Sequence, residues 1–271
     1  MESCSIKVSS LATHEFWEIP VLFEDESLLI VAKPANLAVS PDRLAPERPS
    51  LMKLLHAAVA EGRPWTRQRG LAYVAPAHRL DAEASGLLVL ARSKPVLIKL
   101  VNLLASEKSF ITYLALAEGA PTEDSFEVDA PLARRPAPAG FVRVDPRRGK
   151  KSRTRFEVVE RFSGWAALRC HPVFDRPHQV RAHLRHAGLS LVADPLYGGH
   201  PLLLSRLKPG YRLKAGATER PLIGRPALHA ERIQLAHPLT QESLMVCAPL
   251  AKDITVGLKY LRRFSKGGIE G

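Results

Sequence analysis

His78-Arg79-Leu80-Asp81-Ala82-Glu83-Ala84-Ser85-Gly86-Leu87-Leu88-Val89-Leu90-Ala91-Arg92 is the most informative stretch of this 271-residue chain. Leu87–Ala91 is an unbroken apolar run too short for a helix, so it reads as a buried strand. Just before it, Ser85-Gly86 permits a tight backbone turn. Ahead of that turn stands Arg-x-Asp. A carboxylate beside a fixed cation is favoured in its ionised form, and an ionised Asp can act as a nucleophile or a base. An arbitrary Arg-x-Asp pair more often only pins a loop, and local spacing alone does not lift this one above that reading.

Working outward, Val21–Phe23 and Leu28–Lys33 read as strands around the acidic turn Glu24-Asp25-Glu26. Pro34 ends the second, since it has no N–H for a ladder. Residues 1 to 18 read as a short polar arm. Ser50 can cap a helix reaching Ala60, with Leu51, Leu54, Leu55 and Ala58 on one face. Val96–Ala105 reads as a helix with Pro95 at its start. Strands are expected at Tyr113–Ala117, Phe156–Val159, Trp165–Cys170, Leu228–Leu235 and Leu244–Cys247. Helices are expected at Gln179–Ala187, stopping at Gly188, and from Asp253 onward. The elements mix without strict β-α-β alternation, which predicts an α+β fold over a doubly wound sheet.

Lys and Arg number 39 against 27 Asp and Glu, a net charge of +12. Such a surplus points to a polyanionic partner. Residues 131–155 hold nine basic residues (Arg134, Arg135, Arg143, Arg147, Arg148, Lys150, Lys151, Arg153 and Arg155), one acid, Asp145, and Pro136, Pro138 and Pro146. They read as a basic loop suited to phosphates, or as a solvated surface loop. Residues 199–226 read as a loop insertion. Cys4, Cys170 and Cys247 lie too far apart for a zinc or disulfide pattern, and His171, His178, His183 and His186 have no standard zinc spacing. Metal is therefore not expected. The N-terminus lacks a signal-peptide pattern, and no apolar run is long enough for a membrane helix. A reduced, cytoplasmic protein without a membrane anchor is expected.

The Asp81 segment resembles the signature HRLDxxTSGLLLLA of RluA-type pseudouridine synthases. Val21–Glu26 through Val31–Leu37 resembles the opening of that family, with its Lys33-Pro34. Tyr113-Leu114-Ala115-Leu116 before Glu118-Gly119 resembles "KxYlAlv.G". Arg176-Pro177-His178-Gln179-Val180-Arg181-Ala182-His183-Leu184, then Gly188, Asp194 and Tyr197-Gly198, resembles "TGRtHQIRvHl…G.pi.GD..YG". Leu228-His229-Ala230 and His237-Pro238 resemble the closing "LHA…HP". The match covers residues 18 to 262. The chain departs from the pattern at Ala84 for Thr, Asn36 for Gly, Ile111 for Lys, and Phe174-Asp175 for Thr-Gly.

The resemblance implies a catalytic domain at 19–265: a long, bent, mostly antiparallel mixed sheet flanked by helices around a central cleft. It leaves no room for the N-terminal accessory domain of some members. It implies isomerisation of uridine to pseudouridine in ribosomal or transfer RNA, without cofactor or metal, by a chain expected to be monomeric. The target base would be flipped out of the RNA. Asp81 would attack at the sugar anomeric carbon or at the ring. Tyr113 would stack on the uracil and help remove the carbon-5 proton, and Arg181 would pair with the catalytic Asp. Arg79 would fill the space vacated by the base. Arg176, His178, Gln179, Arg147, Arg148, Lys150 and Lys151 are the further RNA contacts expected. A catalytically silent RNA-binding or ribosome-assembly factor of the same fold is the alternative. A glycosidase would need a second carboxylate opposite Asp81, and Glu83 is a poor candidate.

Overall fold

The computed structural model describes residues 5–42, 45–106, 110–135, 140–214 and 216–265. The chain divides into two compact units, Met1–Ile111 with Ala230–Pro249, and Thr112–His229 with Leu250–Gly271. The sequence reading expected one domain over 19–265.

The first unit opens with β1 (Ser5–Ser10), β2 (Glu15–Glu24) and β3 (Leu28–Lys33). Helices α1 (Leu51–Ala60) and α2 (Pro64–Gln68), the short β4 (Ala75–Pro76), β5 (Ser85–Ala91) and α3 (Lys94–Ala105) follow. The second unit contains β6 (Phe110–Glu118, from Thr112), β7 (Ser125–Asp129), β8 (Leu132–Arg134), β9 (Val142–Val144), β10 (Arg153–Phe162) and β11 (Trp165–Val173). It continues with α4 (Gln179–His186), β12 (Ser190–Leu191) and α5 (Leu204–Leu207). β13 (Leu228–Ala236, from Ala230) and β14 (Ser243–Cys247) complete the first unit, and α6 (Lys252–Phe264) the second. Sheets flanked by helices without β-α-β alternation make the protein α+β, as the sequence predicts.

In the first unit the strand order is β1-β2-β3-β5-β13, with β14 on β13 and β4 on β5. β3 and β5 run antiparallel from Leu28 opposite Ala91 to Lys33 opposite Gly86. All seven residues of β5 are buried. A strand covered on both faces needs no polar alternation, which is why its sequence is a plain apolar run. The strand begins at Ser85, so Ser85-Gly86 is not the turn the sequence suggested. Gly86 has φ +112°, and a Cβ there would sit 2.3 Å from the Ala230 carbonyl oxygen. Glycine is therefore demanded by backbone approach inside the sheet. The polar arm expected at residues 1 to 18 is also corrected. Ser5–Ser10 pairs antiparallel with Pro20–Glu15, and Ile6, Val8 and Ile19 are buried.

Local signals explain the helix starts. Ser50 accepts from the Lys53 amide at 3.3 Å and caps α1. Ser93 does the same for α3 from Val96 at 3.4 Å. The acidic turn works through Asp25: its Oδ1 accepts the Ser27 and Leu28 amides at 2.7 Å. Its Oδ2 meets His237 Nε2 at 2.9 Å. The His237-Pro238 segment is thus tied to the turn between β2 and β3.

In the second unit β6, β11, β10 and β7 follow one another antiparallel, with β12 on the other side of β6. α6 buries Ile254, Leu258 and Leu261 in a cluster with Leu202, Leu207, Ile223 and Ala227. Residues 199–226 are therefore more than a surface insertion: they contain α5 and contribute core side chains. The basic stretch 131–155 likewise holds the hairpin β8–β9, paired from Leu132–Val144 to Arg134–Val142, and the start of β10. Cys4, Pro136 and Pro138 lie outside the described residues.

Gly86→Ala should cost about 3 kcal/mol of unfolding free energy or abolish folding, because the approach is backbone on backbone. Urea unfolding of the purified variant checks this; a midpoint equal to wild type would contradict the close approach.

Candidate active site

In the first unit, Asp81 lies within the segment between β4 and β5 and is partly exposed, with Arg79 exposed two residues before it. The Asp81 carbonyl accepts the Ala84 amide at 3.1 Å, which closes a turn around the carboxylate. Lys33, 1% exposed, fixes the next residue. Its Nζ donates to the carbonyls of Pro34 and Leu37, each at 2.8 Å, and of Ala82 at 3.1 Å. A buried ammonium is tolerable only when its donors are met. Here they are met by a turn at the end of β3 and by the Asp81 loop. Asn36, inside that turn, has φ 62°. That is the left-handed region, which Asn tolerates better than most residues, and the family pattern has Gly at this place.

His78 fixes the same loop from its other end, accepting the Val89 amide on Nε2 at 3.1 Å. Burial of the ring pushes its pKa down to about 4, against a smaller opposing pull from the Arg79 backbone.

In the second unit, Tyr113 on β6 is 3% exposed. Its hydroxyl donates to both oxygens of Asp175, at 3.2 and 3.1 Å. α4 starts at His178, which has φ 54°. Gln179, 2% exposed, accepts the Arg176 amide and donates to Arg153 O, Val173 O and Thr154 Oγ1. Its amide is used up inside the fold, which argues against the RNA contact expected of it. His178 Nδ1 meets the Tyr197 hydroxyl at 3.1 Å. His183 bridges Thr154 Oγ1 at 2.8 Å and Ala130 O at 2.9 Å; burial chiefly lowers its pKa, against the Ala130 hydrogen bond.

Arg181, 3% exposed, forms a two-pronged pair with the fully buried Asp194: Nε to Oδ2 at 2.6 Å and Nη2 to Oδ1 at 2.7 Å. Its guanidinium also lies 5.1 Å from the Tyr197 ring centre. Both Asp175 and Asp194 were missed as site residues by sequence reasoning. The Asp194 motif position was noted, but nothing local says that residue 194 answers residue 181.

The basic residues gather on the β8–β9 hairpin. Leu132, Ala133, Arg134, Arg135, Val142, Arg143, Asp145, Arg148, Lys150, Arg176 and Pro177 line a cavity of about 650 Å³. Tyr197 pins the hairpin: its hydroxyl accepts from Val142 N at 3.0 Å and donates to Val142 O at 3.1 Å. Asp145 caps the following turn by accepting the Arg147 and Arg148 amides. The Arg148 amide, chiefly, holds its carboxyl below the usual range. Arg147, Arg148, Lys150 and Lys151 are all exposed. Among the described residues, no three His, Cys, Asp or Glu side chains gather as metal ligands, and no helix is long and apolar enough to cross a membrane.

Residues 27–186 match the family model described as RNA pseudouridylate synthase. A protein of Haemophilus ducreyi named ribosomal large subunit pseudouridine synthase D is 32% identical over 89% of this chain and 70% of its own length. Those so named in Xanthomonas campestris pv. campestris and Escherichia coli K12 are 33% and 31% identical, over 92% and 94% of this chain and 71% and 75% of theirs. Among solved structures, human RNA pseudouridylate synthase domain containing 4 aligns with a TM-score of 0.66 at 20% identity, over 89% of this chain and 92% of that one. Human domain containing 1 aligns at 0.59 and 20%, over 86% and 83%. These two show a shared fold.

His78 makes stability pH-dependent. Its folded value, about 4, lies below the ordinary 6.5, so its contribution is complete above pH 6.5 and is lost as pH falls towards 4. Unfolding free energy should drop by on the order of 2 kcal/mol between pH 8 and pH 5 on this account. His78→Gln, which can still accept the Val89 amide, should lose that share. Urea titrations of both proteins at the two pH values decide it, and equal pH dependence would contradict the assignment.

Proposed function

The chain belongs to the RNA pseudouridylate synthase family, and on that premise we propose that it isomerises uridine in ribosomal RNA of the large subunit with Asp81 as its nucleophile. The RNA class follows the names of the relatives. The observation that carries Asp81 is its setting: a partly exposed carboxylate on a loop held from both sides, by Lys33 through Ala82 and by His78 through Val89. Holding a nucleophile rigid while leaving it reachable is what attack on a bound substrate needs.

The target uridine is flipped from the RNA, and Arg79, exposed beside Asp81, takes the vacated space. Asp81 attacks the anomeric carbon or the ring. The N-glycosidic bond breaks, the uracil turns, and it rejoins through carbon 5. Tyr113 then takes the carbon-5 proton. Arg181 is the basic partner the family pattern sets for the nucleophile. Its fork is oriented by Asp194, so a point cation at 181 would lose that orientation. Affinity comes from phosphates held on the β8–β9 hairpin and its turn, where six cations and one carboxylate line the cavity. The reading as a silent binding factor is not favoured, because Arg79, Asp81, Tyr113 and Arg181 are all present.

Asp81→Asn should abolish turnover with little loss of RNA binding, since the amide keeps the shape without the nucleophile. Tritium release from RNA labelled at uridine carbon 5 measures this, and turnover near wild type would overturn the role of Asp81. Binding should also weaken steeply with salt. The Arg147, Arg148, Lys150, Lys151 quadruple Ala variant should flatten the log–log slope by about 0.7 for each phosphate of single-stranded RNA that it no longer neutralises. An unchanged slope would make this turn a bystander.

A further inference from the structure

We propose that Asp175 is the proton acceptor behind Tyr113, a positioning and relay residue for removal of the carbon-5 proton. The inference rests on the reading that Tyr113 takes that proton.

A neutral phenol cannot accept a carbon-bound proton until its own proton has somewhere to go. In this protein the Tyr113 hydroxyl is enclosed, and it points its hydrogen at both Asp175 oxygens, at 3.2 and 3.1 Å. Asp175 itself is partly exposed, so a proton it receives can leave to solvent. The backbone makes the placement more telling. Phe174 and Asp175 both have positive φ, 75° and 35°. Successive left-handed residues without glycine are uncommon, and Asp is among the few side chains that tolerate the region. The family pattern has Thr-Gly at these positions, so glycine would be the relaxed choice. This chain instead holds a carboxylate there, aimed at the hydroxyl. Such outliers concentrate where a side chain is needed for function.

The step balances as a pure proton transfer. After the uracil rejoins through carbon 5, that carbon bears both the sugar and a hydrogen. The C5–H bond breaks and its electron pair becomes the ring C5=C6 bond. The C6=N1 pair moves to N1, which takes a proton from solvent. The carbon-5 proton bonds to the Tyr113 oxygen while the phenol's own proton passes to Asp175. Asp175 returns it to water, so nothing is oxidised or reduced and the net change is the isomerisation itself.

The test uses the full chain and an in vitro transcript of large-subunit ribosomal RNA, carrying tritium or deuterium at uridine carbon 5. Asp175→Asn keeps an acceptor for the hydroxyl but cannot take its proton. It should lower turnover at saturating RNA about 100-fold, in the range of general-base losses, with KM within about twofold and a larger deuterium isotope effect on turnover. Asp175→Gly relieves the backbone and admits water to the hydroxyl; it should be as stable as wild type, slower by about tenfold, and accelerated by added acetate. If Tyr113→Phe is inactive while Asp175→Asn keeps wild-type turnover and isotope effect, the relay is wrong and the reading of Tyr113 stands. If Tyr113→Phe turns over like wild type, the reading of Tyr113 falls, and the relay with it. If Asp175→Asn does not fold, Asp175→Gly decides alone: wild-type turnover, or a slow rate that acetate leaves unchanged, overturns the proposal.

Discussion

The buried ammonium of Lys33 is the constraint on which the candidate nucleophile's position rests. A charge taken out of water costs several kcal/mol unless its donors are saturated. Lys33 is saturated by three backbone carbonyls from two separate stretches of chain. Neither stretch can shift without stranding the cation. The turn after β3 and the loop carrying Asp81 are therefore locked together by a penalty for leaving rather than by packing. This explains why the loop needs no helix to hold it. It also gives a physical reason for a lysine at the end of β3: its ammonium reaches forward over the turn that follows, to the carbonyls of Pro34 and Leu37.

The second unit uses the same logic with arginine. Arg181 and Asp194 are both buried, and their two-pronged geometry gives each carboxylate oxygen a guanidinium donor. Around them, Gln179, Thr154 and His183 form a chain of hydrogen bonds that ties α4 to β10 and to Ala130. Buried polar groups in such a chain are costly singly and rigid together. α4 thereby presents Arg181 from a fixed base, and Tyr197 links that base to the basic hairpin through His178 and Val142. The basic hairpin is thus tied to the same elements that hold Arg181 and Asp194.

How much of this was legible in the sequence follows from the range of the interaction. Short-range signals survived: the apolar run of β5, the Ser50 cap, the Glu24–Glu26 turn and the stop of α4. β1 was missed because its alternation, Ser-Ile-Lys-Val-Ser-Ser, buries only two side chains and looks polar on average. Ser85-Gly86 was misread as a turn, because a glycine required by a neighbouring strand looks the same in sequence as one required by a bend. The basic stretch hid a hairpin under its charge. Lys33 with Ala82, Tyr113 with Asp175 and Arg181 with Asp194 each join residues 13 to 62 positions apart. No local pattern encodes such partners.

The departures from the family pattern sort by the same reasoning. Asn36 has a left-handed backbone at the place of the family's Gly, and Phe174-Asp175 have positive φ at the place of Thr-Gly. Ala84 is 2% exposed and still closes the turn through its amide on the Asp81 carbonyl, so the missing hydroxyl leaves that turn intact. Ile111 is buried, 6% exposed, where a Lys ammonium would need partners. The side-chain chemistry thus changes at all of these positions, and at Asn36 and Phe174-Asp175 the backbone lies where glycine is the relaxed choice. At Phe174-Asp175 the chain accepts two successive positive φ values and holds a carboxylate against the Tyr113 hydroxyl, where the family pattern has no ionisable side chain.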